Sequence, residues 1–130
     1  RNHLGVMSAN TLSLDPCLVA TIDFTSLSTM VCEKPDISTN PPQKYIGNGI
    51  MAMWAGDANF NKKVQFNGTN NDKNVLLLAA PSLPILNQYR LEDLNLDGNI
   101  YNSGPTSDRN IILMNTLNSV SNAIYSQHTP

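Results

Sequence analysis

The sequence predicts an α+β fold, a short antiparallel β region followed by a pair of loop–helix repeats, and three observations carry that prediction. Residues 1–54 hold short apolar segments of strand character, cut by proline and polar runs. The composition changes at Ala55-Gly56. Beyond that point, residues 56–79 align without gaps on residues 92–115 at a constant step of thirty-six.

Taken in chain order, residues 4–8 read as a short extended stretch. Residues 18–24 and 28–31 read as the two strands of a hairpin, with Thr25, Ser26 and Leu27 as its turn. That hairpin would set Cys17 and Cys32 nearly opposite each other. The spacing permits a disulfide, and two unpaired, half-buried thiols are the other reading. A bond would argue for an oxidising, extracytoplasmic setting. Residues 35–43 carry too much proline and polarity for regular structure. Residues 49–54 resume as a strand, with Ile50, Ala52 and Trp54 on one face and Met51 and Met53 on the other. Apolar side chains on both faces suggest a sandwiched strand, and Trp54 reads as a core plug rather than a sugar-stacking platform. These strands would make a thin sheet, which can be read as the end of a larger β domain.

Composition excludes several classes. The chain has 130 residues, enough for one modest core. With 41% apolar and only 14% charged residues it is not disordered through charge excess. Eight basic against 10 acidic residues give a net charge of −2 and no basic stripe, which disfavours nucleic acid. The longest apolar run, residues 75–81, is far short of the roughly 20 residues that span a bilayer, so no membrane insertion is expected. Residue 1 is Arg and no charged-then-apolar leader follows, so the sequence reads as a fragment or a processed chain. Asparagine supplies the missing polarity: there are eighteen, many clustered, which points to turns and ligand-bearing loops.

The repeats concentrate that asparagine. Identities fall at Asp57/Asp93, Asn59/Asn95, Gly68/Gly104, Asp72/Asp108, Asn74/Asn110 and Leu77/Leu113. In the second copy Asp93, Asn95 and Asp97 place side-chain oxygens at the first, third and fifth positions, which converge when the chain curls. Gly98 allows the sharp turn. The seventh residue, Asn99, offers its carbonyl, as Lys63 does in the first copy, and Ile100 pins the loop. Hard oxygen donors in this alternation suit calcium. Position 12 is Gly104, so the closing carboxylate is read as Asp108, returned by a four-residue excursion through Gly104-Pro105 and also capping the following helix. Simple Asx-turns are the bland alternative, and two loops in one register weigh against it. Zinc is disfavoured, because neither cysteine and neither histidine lies in a repeat.

The first copy is the poorer one. Asp57, Asn59, Asn61 and Asp72 occupy its oxygen positions, so the fifth residue has lost its charge and Lys62 stands where glycine is wanted. A left-handed backbone at Lys62 costs on the order of 1 kcal/mol. One or two calcium ions are expected, with the second-repeat site the stronger. A helix should follow each loop, over residues 73–80 and from residue 109 toward Tyr125, with Val64 and Ile100 hidden between the packed repeats.

This two-copy arrangement resembles dockerin modules, paired calcium loop–helix units that bind cohesin partners. Residues 1–7, the run Ala52-Met-Trp-Ala-Gly-Asp-Ala-Asn59, and Asp93-Leu-Asn-Leu-Asp-Gly98 with Gly104-Pro105 and Asp108-Arg-Asn-Ile-Ile-Leu113 resemble the C-terminal region of Bacteroidetes surface proteins given a hemagglutinin-type label. The resemblance implies a dockerin-like extracellular or cell-surface module, and Asp57, Asn59, Asn61, Asp72, Asp93, Asn95, Asp97 and Asp108 as metal positions. Its partners would be upstream β domains of the parent protein and an extracellular protein or glycan. An enzyme is not expected. His3 and His128 sit near the two ends, and no nucleophile stands in a recognisable setting. The leading reading is a calcium-binding structural or adhesin-type interaction module. The alternatives are a dockerin-like adaptor and the accessory C-terminal domain of a secreted hydrolase.

Overall fold

The computed structural model describes residues 2–13, 15–17, 19–38, 40–116 and 124–129. Their regular elements run β1 (Lys44–Gly47), β2 (Ile50–Ala52), β3 (Lys63–Gln65), α1 (Asp72–Ala79), α2 (Asp108–Thr116) and β4 (Ile124–Ser126). Strands β1 and β2 form one antiparallel pair, β3 and β4 another. The α+β class is therefore observed, as two two-stranded sheets and two short helices among the described residues.

The first hairpin follows from its turn. Gly47, Asn48 and Gly49 all have positive φ (105°, 52° and 78°), which asparagine and glycine adopt most readily. Gly47 then faces Ile50 and Lys44 faces Ala52, with a bulge beside Tyr45. The second pair joins distant segments: Val64 lies opposite Tyr125, with Lys63 opposite Ser126 and Gln65 opposite Ile124.

The core is built largely from repeat-equivalent pairs. Ala58 and Leu94, Val64 and Ile100, and Leu76 and Ile112 are all buried, together with Leu4, Trp54, Ala80 and Tyr125. Burying an aliphatic side chain of this size contributes roughly 1.5–3 kcal/mol, so the repeats hold each other. Trp54 fills the core as expected. It stacks on Tyr125 with ring centroids 4.3 Å apart, and its indole N–H donates to the Pro41 carbonyl at 2.8 Å. Val64 and Ile100 are fully buried but do not pair with each other. Val64 pairs with Tyr125, and Ile100 bridges Ile85. The first loop thus recruits β4, and the second an isolated bridge at Ile85.

The amino-terminal half departs from expectation. Residues 4–8 do run between bridges, His3 to Ala55 and Ser8 to Val31. No hairpin forms over residues 19–31, and Leu18 lies outside the described residues. Asp23 organises a turn instead: its carboxylate accepts the Thr25 N–H at 2.9 Å and the Thr25 hydroxyl at 2.6 Å, and its carbonyl accepts the Ser26 N–H at 3.3 Å. Local side-chain capping competes with the ladder there, and the exposed Val19 gains nothing from pairing. Cys17 and Cys32 are consequently free thiols, since Cys32 is drawn to Met7, whose carbonyl accepts its N–H at 2.8 Å.

The strand at residues 49–54 survives as β2 but is not sandwiched, because Ile50 and Met53 are exposed. Its other edge is held by Thr25, whose carbonyl accepts the Met51 N–H at 2.9 Å. Helix α2 does not continue to Tyr125, which sits in β4; residues 117–123 lie outside the described residues. Near the chain end, His128 is buried. Its Nδ1 accepts the Lys34 N–H at 3.0 Å and its Nε2 donates to the Asn40 carbonyl at 3.0 Å, tying Lys34 and Asn40 to the segment that follows β4.

Candidate metal centre

The two loops share one hydrogen-bond plan. In the first, Asp57 accepts the N–H groups of Asn61 and Lys62, both at 3.1 Å. In the second, Asp93 accepts those of Asp97 at 3.1 Å and Gly98 at 2.9 Å. The Asn59 side-chain oxygen takes the Asn61 N–H, and Asn95 takes that of Asp97, at 3.0 Å in each case. The fifth residues continue the pattern: Asn61 accepts from Lys63 at 2.9 Å and Asp97 from Asn99 at 2.8 Å. Lys63 opens β3, and Asn99 immediately precedes the Ile100 bridge.

The closing carboxylates match as closely. Asp72 accepts the N–H of Ala58 at 2.8 Å, Asn59 at 3.3 Å and Gln65 at 2.8 Å. Asp108 accepts those of Leu94 at 2.7 Å, Asn95 at 3.3 Å and Tyr101 at 2.8 Å. The excursion through Gly104 therefore does return Asp108 to the loop. The expected capping role does not follow. Asp108 is the first residue of α2 and spends its carboxylate on the loop. In the first copy the cap is Asn71, whose side chain accepts the Asn74 N–H at 2.9 Å.

Backbone conformation repeats too. The fourth residues Phe60 and Leu96 (φ 59° and 61°) and the sixth residues Lys62 and Gly98 (φ 63° and 81°) are all left-handed. Lys62 therefore occupies the glycine position with the strain its side chain implies.

The four terminal carboxylates are buried: Asp57 is 3% exposed, and Asp72, Asp93 and Asp108 are each 0% exposed. Asn61 and Asp97 face solvent. Among the described residues the salt bridge joins Arg90 to Glu92, outside both oxygen sets. Burial raises the pKa of Asp57 and of Asp108 against the lowering by the N–H donors. Asp72 is pushed up to about 6, first by burial and further by the nearby Asp57 charge.

The donor set fits a hard cation in kind. Every group is an oxygen, and a carboxylate with about four lone-pair sites keeps acceptor capacity after receiving two or three N–H groups. Among the described residues, no three His, Cys, Asp or Glu side chains cluster tightly enough to hold a metal alone. Amide and carbonyl oxygens would have to complete either shell. Sequence reasoning missed one pair of equivalent carbonyls that contact the oxygen-bearing side chains. The Asn70 carbonyl accepts the side-chain N–H groups of Asn59 at 2.7 Å and Asn61 at 3.2 Å, and the Thr106 carbonyl accepts that of Asn95 at 3.0 Å. A backbone carbonyl leaves no trace in residue type, so no signal pointed to it.

No family model, curated protein or solved structure matches the chain.

Proposed function

We propose that residues 55–130 form a dockerin-like pair of calcium loop–helix repeats, serving as a non-catalytic structural or adhesin-type interaction module of an extracellular or surface protein. The observation that supports this most is the duplicated set of buried carboxylates. Four aspartates sit at equivalent places in two loops, three of them wholly buried, and each meets backbone N–H groups, with no salt bridge to any of them among the described residues. Isolated buried carboxylates are costly, and a divalent cation offsets that cost directly. Among the described residues no helix is long and apolar enough to cross a membrane.

Thermal unfolding in calcium, in magnesium and in chelator tests the reading. At free calcium about 100 times the dissociation constant, binding adds roughly 2.7 kcal/mol, which for a chain of this size raises Tm by about 10 °C. A midpoint equal in all three conditions overturns it.

A dockerin-like adaptor role has one observation of its own. Leu77 and Leu78 on α1 and Met114 on α2 are 45%, 83% and 63% exposed, apolar helix surface left outside the core. Binding of a cohesin-type domain that is lost in Leu78→Asp would favour this reading, and undiminished binding by that variant would remove the helix surface from it.

A further inference from the structure

Asn2 touches both loops at their first oxygen-bearing residue. Its backbone carbonyl accepts the N–H of Gly56 at 2.8 Å and of Asp57 at 3.1 Å. Its side-chain amide donates to the carbonyl of Asp93 at 2.6 Å, across ninety-one positions of sequence. Asn2 is only 5% exposed. The segment carrying it is held on the next residues as well: His3 bridges Ala55, and the Leu4 N–H donates to the Trp54 carbonyl at 2.7 Å.

One buried residue therefore grips the backbone of Asp57 and the backbone of Asp93 at once. The eighth residues, which could have joined the loops directly, pair elsewhere. A cation entering the first loop draws on Asp57, whose carboxylate also holds the Asn61 and Lys62 amides. Any resulting shift of the Asp57 backbone reaches Asp93 through the backbone and the buried side chain of Asn2, and the reverse path is identical, as linkage between two sites requires.

We propose that Asn2 couples the two loops, so that calcium in either one raises the affinity of the other. Asn2 is a positioning residue: it acts on the backbone behind two oxygen donors and touches no cation. The proposal rests on the calcium reading above and adds the regulation of that site.

Calcium titration by calorimetry on the whole chain, in a two-residue cycle, tests it. Asp57→Asn weakens the first site. In an otherwise unchanged chain it should also weaken the second site by about 5-fold or more. In the Asn2→Ala background, which keeps the backbone carbonyl and removes only the link to Asp93, the same change should alter the second site by less than about 2-fold. The residual covers the lost negative charge of Asp57, which the cycle cancels. Leu4→Ala is the control. It loosens the same segment through a core side chain and should lower Tm while leaving the coupling intact.

Should Asn2→Ala fail to fold, Asn2→Leu keeps about the same size and has no donor, and it should uncouple equally. An equal second-site affinity with and without Asp57→Asn overturns the inference, as does coupling that survives both Asn2 variants. Absence of any calcium binding overturns the calcium reading itself, and these outcomes are distinct.

Discussion

The Asp57 carboxylate lies near enough to Asp72 for its charge to raise the Asp72 pKa, adding to the burial that brings it to about 6. The two residues open and close one loop, fifteen positions apart in sequence. Without a cation the folded state therefore holds a proton on Asp72 more tightly than the unfolded state does, since the ordinary value is 3.8. Asp57 and Asp108 are shifted in the same direction. The stability this proton confers is complete below about pH 4 and is lost as pH rises through about 6. In chelator, Tm should accordingly fall between pH 4 and pH 7. Calcium favours the ionised carboxylates, so in its presence Tm should rise over the same range. Parallel curves in the two buffers would contradict the assignment of these aspartates to a cation.

Asp93 and Asp57 separate metal binding from loop closure. Each accepts two backbone N–H groups from its own loop. Replacing either with alanine orphans those donors, at about 1–3 kcal/mol per unsatisfied group when buried. In chelator, Asp93→Ala and Asp57→Ala should therefore lose similar stability by urea unfolding. In calcium the Asp93 variant should lose more, because its loop carries the charged Asp97 and the glycine at position six. A larger calcium-dependent loss in Asp57→Ala would reverse the ranking of the two loops.

Lys62 has a φ of 63°, where its counterpart Gly98 has 81°. Lys62→Gly relieves a left-handed side chain, a net gain of roughly 0.5 kcal/mol once the greater freedom of glycine when unfolded is deducted. The Lys62 carbonyl keeps its bond from the Gln127 N–H at 2.9 Å, since that contact is backbone to backbone. The expected result is a higher urea midpoint in chelator. A lower midpoint would mean that the side chain contributes more than its conformation costs.

The second half of the chain was far more legible in sequence than the first. A repeat states its own register, so the loops, the presence of a helix after each, and the buried Val64 and Ile100 followed from counting, while the reach of the second helix toward Tyr125 did not hold, because Tyr125 belongs to β4. The fate of residues 19–31 did not. Alternating apolar residues resembled a hairpin there, but Asp23 closed a turn on Thr25, and the segment makes isolated bridges to Ser8 and Ile50 instead of pairing with itself. The β1 strand went unread because a four-residue strand with exposed Tyr45 and Ile46 has no burial pattern, and only the Asn48-Gly49 turn marks it. Asn2 was equally silent. Its partners lie at Gly56, Asp57 and Asp93, and contacts of that range leave no periodicity to detect.

Gly56 offers a test of how tightly the repeats are fitted. It immediately precedes Asp57, its φ is 118°, and it is buried. A Cβ placed there would lie 3.0 Å from Cγ1 of Val64 in the first loop and 3.3 Å from Cγ1 of Ile112 in α2. Those neighbours are fully buried and have little room to yield. Gly56→Ala therefore combines backbone strain with overpacking, which alone costs about 1–3 kcal/mol. Gly104 has a comparable φ of 103° but open space around it, so Gly104→Ala carries the backbone strain alone. Urea unfolding of both variants in chelator should show the larger loss at Gly56, and the difference measures the packing between one loop and the helix of the other. Equal losses would mean that Val64 and Ile112 yield to the added methyl, and that the interface between the repeats is looser than a close-packed core.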